Sequence, residues 1–156
     1  MPDEATDRAC YACDLIAGRA RLPGGRIFET DHWIVEHCTG PFGVGALIVK
    51  PRRHVLHVWD LSTAELREMG PLIGAASRVV RRLTDCDQVY VCLWSHGGFE
   101  PGHIHYLIQP VPRALRDEYR EAGPSLQVEM FRRGENPRAD LVEAFCERAK
   151  KEFRST

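Results

Sequence analysis

The order of hydrophobic and polar positions along the chain predicts a mixture of strands and helices. Ser62 and Glu65 form a capping-box pattern, and apolar residues then recur at spacings of three and four from Leu66 to Leu83, which predicts one long helix. Further helical segments are predicted at residues 10–18, 115–119 and 137–153. Short apolar runs bounded by turn residues predict strands at residues 26–29, 32–38, 46–51, 87–94, 103–111 and 126–131.

Most of these strands follow one another directly, and the long helix separates two groups of them. This order favours an α+β domain built on a mainly antiparallel sheet over alternating βαβ units. The chain has 156 residues, and we expect residues 1–156 to form a single domain.

Composition and charge exclude several classes of function. The formal net charge is −1, so no strong overall field would recruit nucleic acid or a membrane surface. No apolar stretch approaches the ~20 residues of a spanning helix, and the first ten residues lack the pattern of a secretory signal. We therefore expect a cytoplasmic protein without a nucleic-acid or membrane partner.

The motif Cys10-Tyr11-Ala12-Cys13 has two interpretations, half of a zinc site or a redox pair. A redox pair is expected to follow a strand and open a helix, and no strand is predicted before Cys10. Two histidines would complete a Cys₂His₂ tetrahedron, which is a closed structural zinc site.

The stretch GHIHYLIQP at residues 102–110 carries the most informative histidines. In a regular strand His103, His105 and Leu107 would share one face. Two imidazoles beside an apolar core are costly unless they are used. His103 and His54, which each follow a turn or strand boundary, are the best candidates to join the two cysteines. For His96, in a glycine-rich loop, a role in loop structure and contact with a ligand stay open.

Taken together, CYACDLIAG, RIFETDHWIVE, GALIVKPRRHV and PGHIHYLIQPVPR resemble, in order and spacing, the histidine triad (HIT) superfamily of nucleotide hydrolases and transferases. The resemblance implies a five-stranded antiparallel sheet, usually in a homodimer, and a nucleotide conjugate as substrate. It makes His105 the nucleophile that attacks the α-phosphate and forms a nucleotidyl-histidine. Similarity to zinc-containing bacterial members implies a structural zinc held by Cys10, Cys13, His54 and His103.

The remaining site residues are predicted from the same mechanism. Backbone N–H groups of the glycine loop, Gly97 and Gly98 with Gly102, are predicted to cradle phosphate. The acidic residue that binds ribose in the family has no clean match, and we assign it to Glu36. His96 or Gln109 is predicted to compensate for a missing third histidine.

The chain also departs from the family pattern. Leu107 replaces the third histidine of the triad, Ala46 stands where many members have a histidine, and Phe99 and Glu100 replace the usual Gln and Ser of the phosphate loop. These departures keep three alternatives open: a zinc-stabilised nucleotide-binding module with little or no turnover, a nucleotidyl transferase, and a hydrolase in which zinc itself is catalytic.

Overall fold

The structure is a computed structural model that describes residues 10–94, 96–97 and 100–155, with His96 and Gly97 described by their backbone alone. Its strands are β1 (Arg26–Glu29), β2 (Trp33–His37), β3 (Leu47–Pro51), β4 (Gln88–Leu93), β5 (His96–Gly97), β6 (Glu100–Pro101) and β7 (Tyr106–Val111). Its α-helices are α1 (Tyr11–Ile16), α2 (Thr63–Thr84), α3 (Arg113–Tyr119), α4 (Gly123–Arg133) and α5 (Ala139–Arg154). A short 3₁₀ turn covers Val58–Asp60.

Five strands form one antiparallel sheet in the order β1-β2-β3-β7-β4, and the short strands β5 and β6 pair with each other as a separate hairpin. The prediction of an α+β fold on a five-stranded antiparallel sheet is thereby confirmed. The hairpin lies inside the segment that the sequence predicts only as a glycine-rich loop.

One face of the sheet packs against α2 and α5 and forms the main hydrophobic core. The predicted capping box at the start of α2 is present, since Ser62 Oγ accepts from the Glu65 N–H and Glu65 returns a bond to the Ser62 N–H. Of the predicted apolar stripe of α2, Ala76 and Val80 are buried. Met69, Ile73 and Leu83 are partly buried against the core, and Leu66 is exposed. None of the described helices is both long enough and apolar enough to span a membrane.

The opposite face of the sheet is partly covered by α4, and here the prediction of a strand at 126–131 is wrong. Leu126 and Met130, one helical turn apart, are buried together with Val111 of β7. The segment has the signals of a helix, with Pro124 in the first turn and Gly134 at the C-terminal end with φ of +64°. The alternation of Leu126, Val128 and Met130 is also compatible with a strand. The helix is favoured because it places both Leu126 and Met130 against the sheet.

The predicted strand at 103–111 begins later than expected, at Tyr106. His103, Ile104 and His105 form a separate segment before β7, where the Ile104 N–H donates to the carbonyl of Val55. Neither histidine lies in the strand. His105 still lines one cavity together with Leu107, whereas His103 faces Cys10 and Cys13, so the expectation that both histidines point the same way as Leu107 is wrong for His103.

Candidate functional site

The four predicted metal ligands come together in one cluster, although they are distant in the sequence. Cys10 directly precedes α1 and Cys13 lies in its first turn, so the two thiols are on the same side of the helix. His54 lies in the turn after β3, and His103 lies before β7. The four candidate ligand atoms all lie within 4.8 Å of one another.

The distances inside this cluster fit a tetrahedral metal site. Cys13 Sγ is 3.3 Å from His54 Nδ1 and 3.5 Å from His103 Nδ1, and Cys10 Sγ is 3.8 Å from His103 Nδ1. A zinc ion bound at ~2.3 Å to sulfur and ~2.0–2.1 Å to nitrogen requires donor–donor distances of roughly 3.3–3.8 Å. The residues present therefore fit zinc, and four protein donors are the number that a tetrahedral site requires.

The protonation of His103 also suits a metal ligand. Its Nε2–H donates to the carbonyl of Pro51 at 2.9 Å, which leaves the Nδ1 lone pair directed at the two thiols. Burial, with smaller effects of the nearby positive groups, lowers the pKa of His103 to about 4 even though the bond to Pro51 opposes this change. The ring is thus neutral at physiological pH, which is the form that binds metals.

The thiol of Cys13 shows the opposite tendency. Burial, a hydrogen bond with Cys10 and repulsion from Cys10 raise the pKa of Cys13 to about 11. A divalent cation between the two sulfurs would reverse this effect, because it stabilises the thiolates directly.

A cavity of about 480 Å³ adjoins this cluster through the segment that carries both histidines. This volume lies in the ~300–1,000 Å³ range of ligand pockets. Most of the wall is apolar, and α4 supplies one side of it. The lining residues are Cys38, Phe42, Ile48, Trp94, His105, Leu107, Pro124, Gln127, Val128, Phe131 and Arg132.

His105 lies in the wall of this cavity with its ring held by the backbone. Its Nδ1–H donates to the carbonyl of His103 at 3.0 Å. With Nδ1 as the donor, the lone pair of the neutral ring lies on Nε2, the atom that a histidine nucleophile would use. The acceptor belongs to the same segment, since His103 is only two residues before His105.

Leu107 makes this part of the cavity wall apolar, and Ala46 packs with it below the surface. Both are buried in a small cluster with Cys38, packed against Phe42 and Ile48. A phosphate oxygen next to Leu107 would therefore meet hydrocarbon.

His37 shapes the loop that supplies Cys38 and Phe42 to the cavity. Its Nδ1–H donates to the carbonyl of Cys38, and its Nε2 accepts from the N–H of Gly45, both at 2.8 Å. The ring thus ties the two ends of the loop together in its neutral form. Burial lowers the pKa of His37, which keeps the ring neutral.

Two predicted substrate-binding residues lie apart from the cavity wall and are bonded within the chain. Glu36 is buried and forms an ion pair with Lys50 at 2.6 Å, and Lys50 is only 2% exposed. Gln109 is fully buried, accepts from Gln127 Nε2 at 2.9 Å and donates to Met130 Sδ. Ribose binding by Glu36 and phosphate binding by Gln109 do not agree with these placements, because both side chains already have buried partners.

The remaining predicted residues belong to the hairpin segment. His96 and Gly97 form β5, paired with Glu100 and Pro101. Gly98, like Phe99, lies outside the described residues, so the predicted phosphate cradle is described only in part.

Sequence reasoning missed the contribution of α4 to the cavity. Pro124, Gln127, Val128, Phe131 and Arg132 are spaced 3, 1, 3 and 1, so they form one face of the helix. This spacing is visible in the sequence, but it indicates a common face only if the segment is a helix, and the sequence analysis predicts a strand there.

The fold was compared with solved structures. A hypothetical histidine triad nucleotide-binding protein from Sulfolobus tokodaii matches 94% of this chain and 93% of its own, with a TM-score of 0.71 and 15% identity. The chain has the HIT fold. A Zn-bound histidine triad family protein from Mycobacterium smegmatis covers 94% of both chains, with a TM-score of 0.67 and 18% identity.

A third structure with the HIT fold is similar over a comparable length. The Hit-like protein from Bartonella henselae involved in cell-cycle regulation covers 89% of this chain and 92% of its own, with a TM-score of 0.68 and 16% identity. No protein-family model matches the sequence, and a comparison with curated proteins finds no match. At these identities the likeness concerns the fold, and the chemistry has to be inferred from the residues of the site.

Proposed function

We propose that this protein is a nucleotide-conjugate hydrolase that acts at the α-phosphate through a nucleotidyl-His105 intermediate. The observation that carries the proposal is the state of His105, which lines a ligand-sized cavity with Nδ1 bonded to a carbonyl, so that the lone pair of the neutral ring lies on Nε2. The HIT fold supports it, because the Sulfolobus neighbour is described as a nucleotide-binding protein.

The reaction proceeds in two displacements at phosphorus. The Nε2 lone pair of His105 forms a bond to the α-phosphorus, and the bond to the leaving group breaks with its electron pair. The leaving group, a phosphate, an amine or a second nucleotide, takes a proton from solvent as its basicity requires. Water then attacks the phosphorus, the P–N bond breaks, and the nucleoside monophosphate leaves while the proton of the water passes to solvent.

The metal in this proposal is a structural zinc held by Cys10, Cys13, His54 and His103. Bound there, it would supply a cross-link between α1, the turn after β3 and the segment before β7. The Zn-bound neighbour from Mycobacterium smegmatis supports this choice of metal. Four protein donors favour a structural ion over a catalytic one.

The proposal also includes the partner, the location and the oligomeric state of the enzyme. Its partner is a small nucleotide or nucleotide conjugate, neither nucleic acid nor a membrane is a partner, and it works as a cytoplasmic homodimer. Dinucleoside polyphosphates and nucleoside phosphoramidates both fit the mechanism.

One observation favours a second candidate, a zinc-stabilised nucleotide-binding module with little turnover. The buried cluster of Leu107, Ala46 and Cys38 removes polar stabilisation from the wall near His105. A nucleotidyl transferase remains a variant of the main proposal in which a phosphate or a metabolite replaces water.

The test is a panel of nucleotide conjugates, read by released monophosphate and by mass spectrometry of protein denatured at alkaline pH, because the P–N bond of a nucleotidyl-histidine is labile in acid. The wild type should release monophosphate and carry a nucleotidyl adduct, and His105→Ala should lose both by about 10³-fold or more, as for other nucleophiles. His57→Ala is the matched control, since His57 lies outside the cavity wall and stacks on Trp59.

Undiminished hydrolysis by His105→Ala would exclude His105 as the nucleophile, and nucleotide binding without any adduct would favour the binding module. A reaction that needs added phosphate would indicate transfer.

A further inference from the structure

The cavity contains one permanently charged side chain among its described lining residues, Arg132 of α4. Its other polar lining side chains are those of Gln127, His105, Trp94, through its indole N–H, and Cys38, through its thiol. Gln127 is uncharged, and His105 must be neutral to act as a nucleophile. Arg132 is therefore the described lining residue that can carry positive charge while the site reacts.

Arg132 reaches the cavity because of its position on α4. It lies on the same helix face as Gln127 and Val128, which also line the cavity. Gln127 anchors this face to the sheet through its bond to Gln109. The guanidinium thus extends from a helix whose position is fixed by buried contacts.

The guanidinium is available for a ligand. It pairs with Glu129 on its own helix at 2.6 Å, and its side chain is 71% exposed. An arginine has five N–H donors, and this pair uses only part of them. Exposed pairs of this kind are weak, so exchanging Glu129 for a phosphate costs little.

An anionic substrate needs such a group in this cavity. Phosphate oxygens next to Leu107, Ile48 and Phe42 would lose water without gaining a partner, which is costly for a charged group. A guanidinium binds phosphate with charge-assisted, often paired hydrogen bonds.

We propose that Arg132 is the anion-binding residue of the cavity and holds the phosphate of the nucleotide conjugate for attack by His105. This inference rests on the proposed function and adds to it the residue that recognises the charge of the substrate. It also assigns to α4, rather than to the sheet, the neutralisation of phosphate charge.

The neighbouring arginine provides a matched control. Arg133 forms an ion pair with Glu118, and its guanidinium lies 4.0 Å from the centroid of the Tyr119 ring. It does not belong to the described cavity wall. Substituting either arginine by glutamine removes one positive charge from the same helix, and only Arg132 should affect the ligand.

The experiment measures binding of adenosine 5′-monophosphate, adenosine and inorganic pyrophosphate to the zinc-loaded protein by calorimetry. Arg132→Gln should weaken binding of the monophosphate and pyrophosphate by about tenfold or more, the cost of one hydrogen bond to a charged group. Binding of the uncharged adenosine should be unchanged. Arg133→Gln should match the wild type, and Glu129→Gln should bind the two anions more tightly because Arg132 is released.

The outcomes separate this inference from the function on which it rests. Monophosphate binding that is equal in wild type and Arg132→Gln overturns the role of Arg132 and leaves the hydrolase standing. Pyrophosphate binding that depends on Arg132, without binding of the monophosphate, supports the anion site and overturns the nucleotide function. A wild type that binds neither anion overturns both. Thermal unfolding of each variant confirms that these exposed substitutions leave the fold intact.

Discussion

The cluster of candidate metal ligands and the cavity meet at one short segment, and they differ in polarity. The cluster is polar, and its four donors, Cys10, Cys13, His54 and His103, converge from three parts of the chain. The cavity is mostly apolar, and beside His105 its wall contains few polar groups. His103 and His105 are two residues apart; His103 belongs to the cluster, and His105 belongs to the cavity wall.

This difference shows how a single segment serves two purposes. The His103 side chain faces the cluster, while its backbone carbonyl holds the ring of His105. Fixing His103 with a metal therefore also fixes the acceptor that orients the nucleophile. In the proposed mechanism, the cluster provides rigidity, and the cavity provides recognition and chemistry.

The largest effect should come from breaking the cluster with Cys13→Ser. With free zinc at 1,000 times its Kd, a bound ion adds about 4 kcal/mol to the free energy of unfolding. Its loss should lower the Tm by roughly 8–16 °C for a domain of this size. Elemental analysis and thermal unfolding with and without a chelator measure both quantities.

The control for this variant is Cys92→Ser, a half-buried thiol outside the cluster, which should keep its zinc. If the two regions are coupled as described, Cys13→Ser should also slow formation of the nucleotidyl adduct more than it weakens nucleotide binding. Full zinc occupancy in Cys13→Ser would contradict the ligand assignment.

An intermediate effect should come from making the cavity polar with Leu107→His. Leu107 is 3% exposed, so a buried imidazole there should cost about 1–3 kcal/mol in the free energy of unfolding. The new donor should raise the rate of adduct formation by up to about 10². Single-turnover kinetics measure the rate, and denaturant titration measures the stability.

Leu107→Gln is the matched comparison, because it is polar but cannot become cationic. It should lose similar stability and gain little rate. Equal rates in Leu107→His and the wild type would show that the apolar wall does not limit the chemistry.

The smallest effect concerns His37. Burial in the folded chain lowers the pKa of its ring. The unfolded state then binds more protons below about pH 6.5, so this contribution to stability is complete above that pH and is lost as the pH falls toward the folded pKa. The slope from one proton cannot exceed about 1.4 kcal/mol per pH unit.

The measurement is the free energy of unfolding between pH 7.5 and 5, as conditions of the experiment, for zinc-loaded wild type and His37→Gln. Protons that compete with zinc affect both proteins equally, so the difference between their free energies of unfolding reports the contribution of His37. His37→Gln should lose less stability on acidification. Parallel curves would contradict the assignment.

The sequence predicts the polar region better than the apolar one. The strands of the five-stranded sheet, α2 with its capping box and the four members of the cluster follow from local patterns and from pairs of residue types with a known chemical preference. Helix α4 could not be recognised with the same certainty, since Leu126, Val128 and Met130 fit both periodicities. The tertiary partners of Glu36 and Gln109, Lys50 and Gln127, lie 14 and 18 positions away, and only folding reveals that they are occupied.

The boundaries of α4 have a consequence for protein engineering. Gly123 and Gly134, with φ of +56° and +64°, delimit the helix, and left-handed glycines of this kind let the chain change direction without strain. A combinatorial library restricted to the cavity-lining positions of α4 would vary one wall and leave the cluster and the His105 segment untouched. Substrate preference could then be redesigned by exchanging a single helix.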